Sequence, residues 1–271
     1  MAGPTSPCQR DISAIRFQDG DAYDRGMSPW SQLAGHLFLD WLELPAGLRW
    51  LDVGCGTGAF TELLIQRRAP TEIQAIDPNQ AQLAVARVRP GTHGAEFLLG
   101  DAMALPFERG RFDAAVMALV IYFVPDPVKG VAEMARVVRP GGLVAAYGWD
   151  LLGGGHPFDP VWTEIRAAGV THPLPPNPSA AGMQALRAGW GGAGLRSVEG
   201  REIAVERTFA DFEDYWATSS ITPSVRPSLD AMTPGDLARL KQRVRARLPV
   251  DATGRVTHRA RANAVQGRVP T

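Results

Sequence analysis

"LDVGCGTGAF", residues 51–60, decides the fold. With the residues before it, it reads "LRWLDVG", a short apolar run of strand length ending in glycine. Gly54, Gly56 and Gly58 follow within five residues, and "AFTELLIQRR" then reads as a helix. Strand, glycine-rich turn and helix in that order make one βα unit. Glycines there let the backbone turn sharply and approach a ligand closely. On open α/β sheets, ligands sit beyond the carboxyl ends of strands where strand order reverses. The turn therefore marks a candidate nucleotide site, and its ligand has to be decided from the residues around it.

Outward from the turn the alternation repeats. "EIQAID" is a short strand, and "PNQAQLAVARVR" is a helix opened by Pro78, where proline is tolerated. "AEFLLGD" and "FDAAVMAL" are a third and fourth strand. "DPVKGVAEMARVVRPGG" reads as a helix stopped at Pro140-Gly141-Gly142, and "LVAAYGWD" as a fifth strand. A further helix is expected over 29–42, where Trp30, Leu33, Leu37 and Trp41 recur at helical spacing. Strands alternating with helices imply right-handed crossovers and a mostly parallel sheet covered on both faces. Residues 47–150 thus read as a doubly wound α/β core.

Composition bounds the partners. The 271 residues carry 28 basic and 28 acidic side chains, for a formal net charge of zero. That disfavours attraction to nucleic acid or an anionic membrane through overall charge. Cys8 and Cys55 are too few and too differently placed to suggest a structural disulfide. The longest apolar run, "AAVMALVIYFV" at 114–124, is too short to span a bilayer. A soluble, cytoplasmic protein is expected, with residues 1–16 as a disordered tail.

Two ligand classes compete for the turn. Gly54-Cys55-Gly56-Thr57-Gly58-Ala59 fits the dinucleotide pattern G-x-G-x-x-A, and Asp77 stands at about the ~20-residue distance of a ribose-binding acid. Spacing alone therefore leaves NAD open. Asp52, however, immediately precedes the turn, where a carboxylate opposes pyrophosphate and favours a cationic ligand group. Asp101 ends the third strand, placed to accept from an exocyclic adenine amine. Acids ending three successive strands describe an amine, a ribose diol and an adenine with no phosphate. That is the outline of S-adenosylmethionine. Each acid can also be read as an ordinary turn or helix-capping aspartate.

These segments resemble class I S-adenosylmethionine-dependent methyltransferases, especially the small-molecule group similar to ubiquinone/menaquinone biosynthesis C-methyltransferases. "LDVGCGTG", "IDPN", "GDAMALPF", "FDAAVMALVIYFVPDP" and "RVVRPGG" carry the resemblance, which covers residues 20–150. It implies a doubly wound, seven-stranded, mostly parallel sheet with an antiparallel final strand and a helical substrate cover. The final strand falls at 256–268, in "VTHRARANAVQGRV", and residues 151–190 and 209–250 become substrate-side regions of one domain over 17–271. Carried over by position, Gly54 and Gly56 pack against the methionine and ribose portions, and Asp77 binds both ribose hydroxyls. Pro78 lies beside adenine, Asp101 and Ala102 hold its edge, and Ala118 faces the ammonium. Tyr23, Met27 and Trp30 in "YDRGMSPW" resemble an N-terminal cover, although Trp30 can equally belong to the core.

A sulfonium methyl is already a good electrophile, so orientation supplies much of the rate and no fixed catalytic triad is expected. Tyr122, Asp150 and His156 are the candidate bases, each with a plain structural alternative: packing, turn capping and an ordinary surface histidine. The histidines are too dispersed to suggest a metal centre. The basic stretch near the C-terminus, with Arg239, Arg243 and Arg247 opposite Leu237, Leu240, Val244 and Leu248, reads as an amphipathic surface helix rather than a nucleic-acid site. The expected partner is a small-molecule methyl acceptor. An NAD-dependent oxidoreductase, or a cofactor-binding protein without methyl transfer, remains the alternative, because fold does not fix function.

Overall fold

The computed structural model describes residues 26–271. The tail expected over 1–16, Cys8 and Tyr23 lie outside the described residues. Seven strands form a single sheet: Arg49–Val53 (β1), Glu72–Asp77 (β2), Ala95–Leu99 (β3), Phe112–Ala118 (β4), Val138–Trp149 (β5), Arg196–Phe209 (β6) and Val256–Arg268 (β7). Their order is β3-β2-β1-β4-β5-β7-β6. β1 to β5 pair in parallel, and β7 runs antiparallel to both of its neighbours, β5 and β6. This is the expected doubly wound sheet with its antiparallel final strand.

Strand order reverses between β1 and β4. From β1 the chain moves outward through β2 to β3, then returns to lay β4 on the other side of β1. The carboxyl ends of β1, β2 and β4 therefore flank one crevice. Strand interiors are apolar because helices cover both faces: Leu51, Val53, Ala114, Val116, Met117 and Val144 are all fully buried. The helix Ser28–Leu42 packs Ala34, Phe38 and Leu39 inward, and Phe38 meets Tyr147 of β5 at a ring-centroid distance of 4.6 Å.

One boundary differs from the sequence reading. The helix expected to run to Pro140 ends at Val137. Val138 already pairs with Phe112, and the ladder resumes only at Ala114–Leu143. Pro140-Gly141-Gly142 thus forms an irregularity inside β5 rather than the helix stop. The ambiguous "LRSVEGREIAVERT" segment is one long strand, β6, with a register shift between Arg196 and Glu199.

Residues 151–250 contribute five helices: Asp159–Ala167, Met183–Gly192, Phe212–Ser220, Arg226–Asp230 and Pro234–Arg247. The last is amphipathic as expected, with Leu240, Val244 and Leu248 buried. Its basic face is engaged locally: Arg247 and Arg243 reach the buried Glu164, while Lys241 and Arg245 pair with Glu213. No helix among the described residues is long and apolar enough to cross a membrane.

Candidate functional site

A cavity of about 340 Å³ opens at the crevice between β1 and β4. Gly54, Gly56, Asp77, Pro78, Asp101, Ala102 and Ala118 all line it, so seven of the residues singled out from sequence converge on one space. The turn between β1 and the helix Ala59–Arg68 forms its floor. Gly54 and Gly58 both hold φ near +79°, the left-handed region that favours glycine. A Cβ on Gly54 would also stand 2.4 Å from the Val120 side chain.

The N–H groups of this turn are largely consumed within the protein. Gly54 and Cys55 both donate to the Ile76 carbonyl, at 2.7 and 3.1 Å, and Gly58 donates to the Cys55 carbonyl at 2.9 Å. Gly56 donates to Asp77 Oδ2 at 2.9 Å. The other oxygen of Asp77, Oδ1, accepts from the Asn79 amide at 2.8 Å. Two backbone donors thus fix the Asp77 carboxylate at the end of β2, with lone pairs left for a ligand. Its burial raises its pKa, and these two hydrogen bonds pull the other way. Asp101 is exposed at the rim, and its Oδ1 accepts from the Met103 amide at 2.8 Å.

Asp52 departs from its sequence reading. It is 1% exposed and lies outside the cavity wall, with Oδ2 accepting from Thr61 Oγ1 at 2.7 Å. Its Oδ1 is buried with no hydrogen-bond partner among the described residues. Burial pushes its pKa up to about 7; the Thr61 hydroxyl opposes the rise and Asp77 adds to it. Its side chain is turned to Thr61 of the helix Ala59–Arg68, away from the cavity, because alternate side chains of a strand point to opposite faces. The row of three acids is therefore two acids at the cavity and one buried outside its wall.

The N-terminal cover is also divided. Trp30 is fully buried and packs against Phe209 and His258, at centroid distances of 6.3 and 5.9 Å, so it is a core residue. Met27 lines a second, smaller cavity. From the same helix Ser28, Ser31 and Gln32 reach the main cavity, and the sequence reading missed them. Their i, i+3, i+4 spacing at the start of an otherwise apolar helix was the available signal. Phe60, Asn79, Gln82 and Tyr147 are among the further wall residues that the sequence reading missed.

The candidate bases separate as well. Asp150 accepts from the Gly153 amide and forms an ion pair with Arg261 at 2.5 Å, and it lines neither cavity. It caps a turn rather than serving as a base. Tyr122 and His156 both line the smaller cavity. His156 is buried, not a surface histidine; its ring stacks on Trp162 at 3.8 Å with planes 10° apart. Burial holds its pKa well below the ordinary histidine value, so the ring is neutral. Nδ1 accepts from the Phe158 amide at 3.2 Å, which leaves the proton on Nε2. The imidazole is thus arranged as a donor, not as a base. Among the described residues no group of three or more potential metal ligands comes together.

Comparison with known proteins agrees with this geometry. The family described as "Methyltransferase domain" matches residues 51–146. The demethylmenaquinone methyltransferase of Renibacterium salmoninarum is 32% identical over 197 residues, covering 65% of this chain and 80% of the relative. The 2-phytyl-1,4-naphtoquinone methyltransferase of Thermosynechococcus vestitus is 38% identical over 118 residues, 43% of this chain and 51% of the relative. The chain spans about half the length of several curated relatives it matches. In fold it is similar to a provisionally assigned methyltransferase of Bacillus halodurans, with TM-score 0.59 and 19% identity over 88% of this chain and 99% of that one. It is also similar to phosphoethanolamine N-methyltransferase 2 of Haemonchus contortus, solved with S-adenosyl-L-methionine, with TM-score 0.53 and 17% identity over 88% of this chain and 52% of that one. The chain belongs to the class I S-adenosylmethionine-dependent methyltransferases and resembles their quinone-methylating members.

Proposed function

We propose that this chain binds S-adenosylmethionine in the larger cavity and transfers its methyl group to a small-molecule acceptor. One observation carries the reading: two carboxylates, Asp77 and Asp101, and no lysine, arginine or histidine line the cavity among the described residues. A pyrophosphate is poorly matched to such a wall, which meets its charge with negative groups and no cationic side chain. A ribose diol instead needs an acceptor, and the Asp77 carboxylate presents one. This argues against NAD more directly than Asp52 does.

In this reading Asp77 accepts from both ribose hydroxyls. Asp101 accepts from the adenine amine, with the Ala102 backbone beside it. Pro78 packs against the adenine face, Gly54 and Gly56 admit the methionine and ribose portions, and the Ala118 backbone meets the ammonium. When bound, the sulfonium supplies a methyl carbon that needs no further activation. The protein's work is then alignment for in-line displacement and exclusion of water, which apolar wall residues such as Phe60, Leu63 and Val124 support. Residues 47–150 hold the cofactor, and 151–190 with 209–250 close the acceptor side.

Calorimetry with S-adenosylmethionine, S-adenosylhomocysteine and NAD tests the cofactor assignment. Binding of both sulfur nucleosides without NAD is expected, and NAD binding alone would overturn it. Transfer of a radiolabelled methyl group to candidate metabolites tests the reaction. Nucleoside binding with no labelled product across a broad screen would instead favour a binding protein without transfer.

A further inference from the structure

His156 and His172 meet at one tryptophan. The His156 ring stacks on Trp162 at 3.8 Å, and the His172 ring stacks on the same indole at 4.8 Å with planes 24° apart. The three residues come from separate segments: the loop after β5, the helix Asp159–Ala167, and the strap 168–182 that joins this helix to Met183–Gly192. Both histidines are buried, and neither lines the larger cavity. The strap does reach that cavity. The Asn177 N–H donates to the Tyr122 carbonyl at 3.0 Å, and its side-chain amide donates to the Val124 and Pro125 carbonyls at 2.7 and 3.2 Å. Val124 and Pro125 line the larger cavity.

Hydrogen bonding holds both rings neutral. On His156, Nδ1 accepts from the Phe158 amide. On His172, Nδ1 faces the Pro173 carbonyl at 3.2 Å; a carbonyl only accepts, so the proton sits on Nδ1. Nε2 is then left to accept from Arg166 Nη1–H at 3.3 Å. Protonating either ring puts a second N–H where a donor already points. On His172 it also sets an imidazolium against a guanidinium. The groups around the stack do little to offset such a charge. Asp159 and Arg166 of the helix pair with each other at 3.4 Å, and Asp150 of the loop is taken by Arg261. β7 brings a third imidazole, His258, close to His156. Tyr122, which lines the smaller cavity with His156, and Tyr215, which faces His258 at 5.9 Å, add phenols and no carboxylate. Burial, then His172 and His258, hold the His156 pKa down. Burial and Arg166 lower that of His172, against the Pro173 carbonyl and Asp159.

We propose that the stack of His156 and His172 on Trp162 is an acid-released latch: protonation of the imidazoles frees the strap 168–182, and with it the wall residues 122–125 that Asn177 holds at the larger cavity. Above the ~6.5 of a free histidine the latch is at full strength. As pH falls below that value, the open strap takes up protons that the closed one refuses. Opening then grows by up to ~10-fold per pH unit for each histidine. The raised pKa of Asp52 acts in the opposite sense and favours the folded core as pH falls. Acid therefore opens the strap while the sheet beneath it holds.

Hydrogen–deuterium exchange of the full chain, read by mass spectrometry at pH ~7.5 and ~5.5 and corrected for the intrinsic pH dependence of amide exchange, tests this. Opening of fragments over 168–182 and 122–125 is expected to rise at least ~10-fold towards acid, with ~100-fold the limit for two rings. Fragments over β1 and β2 should show no such rise. The double variant His156→Asn/His172→Gln offers an oxygen to the Phe158 amide and to Arg166 but cannot ionise. It should lose at least ~10-fold of the acid response, whatever its opening at neutral pH. Opening of 168–182 that changes less than ~2-fold in the unaltered chain overturns the proposal and needs no variant. Core and strap fragments opening in step, or a folded double variant that responds to acid as steeply as the unaltered chain, also overturns it. The measurement uses no nucleoside, so its outcome is independent of the cofactor assignment.

Discussion

Asp52 gives the sharpest physical test. Its folded pKa of about 7 stands about 3 units above the ~3.9 of an unfolded aspartate. The native state therefore binds this proton more tightly than the unfolded state does. Stability from this group is fully present below pH ~4 and is lost as pH rises through 7. At ~1.4 kcal/mol per unit, the loss is on the order of 4 kcal/mol. Asp52→Asn keeps the size and an oxygen for the Thr61 hydroxyl but cannot ionise. Urea unfolding of both proteins in steps from acid to mildly alkaline pH checks the argument. The two should be nearly equally stable at pH ~4, and the variant should gain by several kcal/mol as pH passes 7. Parallel stability curves across that range would refute it. Thr61→Val should move the wild-type decline to higher pH, because the hydroxyl favours the ionised form.

Other outcomes follow from the cavity and its supports. Asp77→Ala removes the proposed acceptor for two ribose hydroxyls; at ~1.5–3 kcal/mol per charge-assisted bond, S-adenosylhomocysteine should bind at least ~100-fold more weakly by calorimetry. Affinity within a few-fold of wild type would exclude the ribose role. Gly54→Ala places a methyl group against Val120 in a left-handed conformation, so circular dichroism should show a folded protein whose melting point falls and whose nucleoside affinity drops sharply. Arg247→Met strips the closer partner from buried Glu164 and should destabilise by ~2–4 kcal/mol, whereas Glu164→Gln, which leaves only solvent-exposed arginines, should cost less. Denaturant titration of both variants separates the two effects.

The core of the fold was legible because its signals are local. Strand length, apolar runs and the glycine turn fix β1 to β4 within a few residues, and no distant partner is needed to read them; the start of β5 was missed because Pro140-Gly141-Gly142 looks like a helix stop. Asp77 and Asp101 were legible for the same reason, since each ends a strand whose direction is known. Asp52 was misread because strand alternation, which turns it to Thr61 and away from the cavity, competes with its nearness in sequence. Trp30 was ambiguous until β6 and β7 supplied Phe209 and His258 around it. The smaller cavity was beyond local reading altogether. Met27, Tyr122, Trp149, His156, Trp162 and Thr222 come from separated segments, and only tertiary packing brings them together. His156 looked like a surface residue in a glycine-rich loop, and nothing near it in sequence announces the Trp162 stack.

The placement of β7 has a consequence for biosynthesis. The strand formed by residues 256–268 is an interior strand, inserted between β5 and β6. A nascent chain that has emerged only through residue 250 holds β5 with an open edge and β6 with no place in the sheet. Such edges are templates for wrong pairing. The ligand crevice, lined by the helix Ser28–Leu42, by β1 to β5 and by their turns, emerges long before the sheet can close. Cofactor present during translation therefore has a binding surface on offer while the protein is still incomplete, and the final strand acts as the keystone that commits the whole sheet.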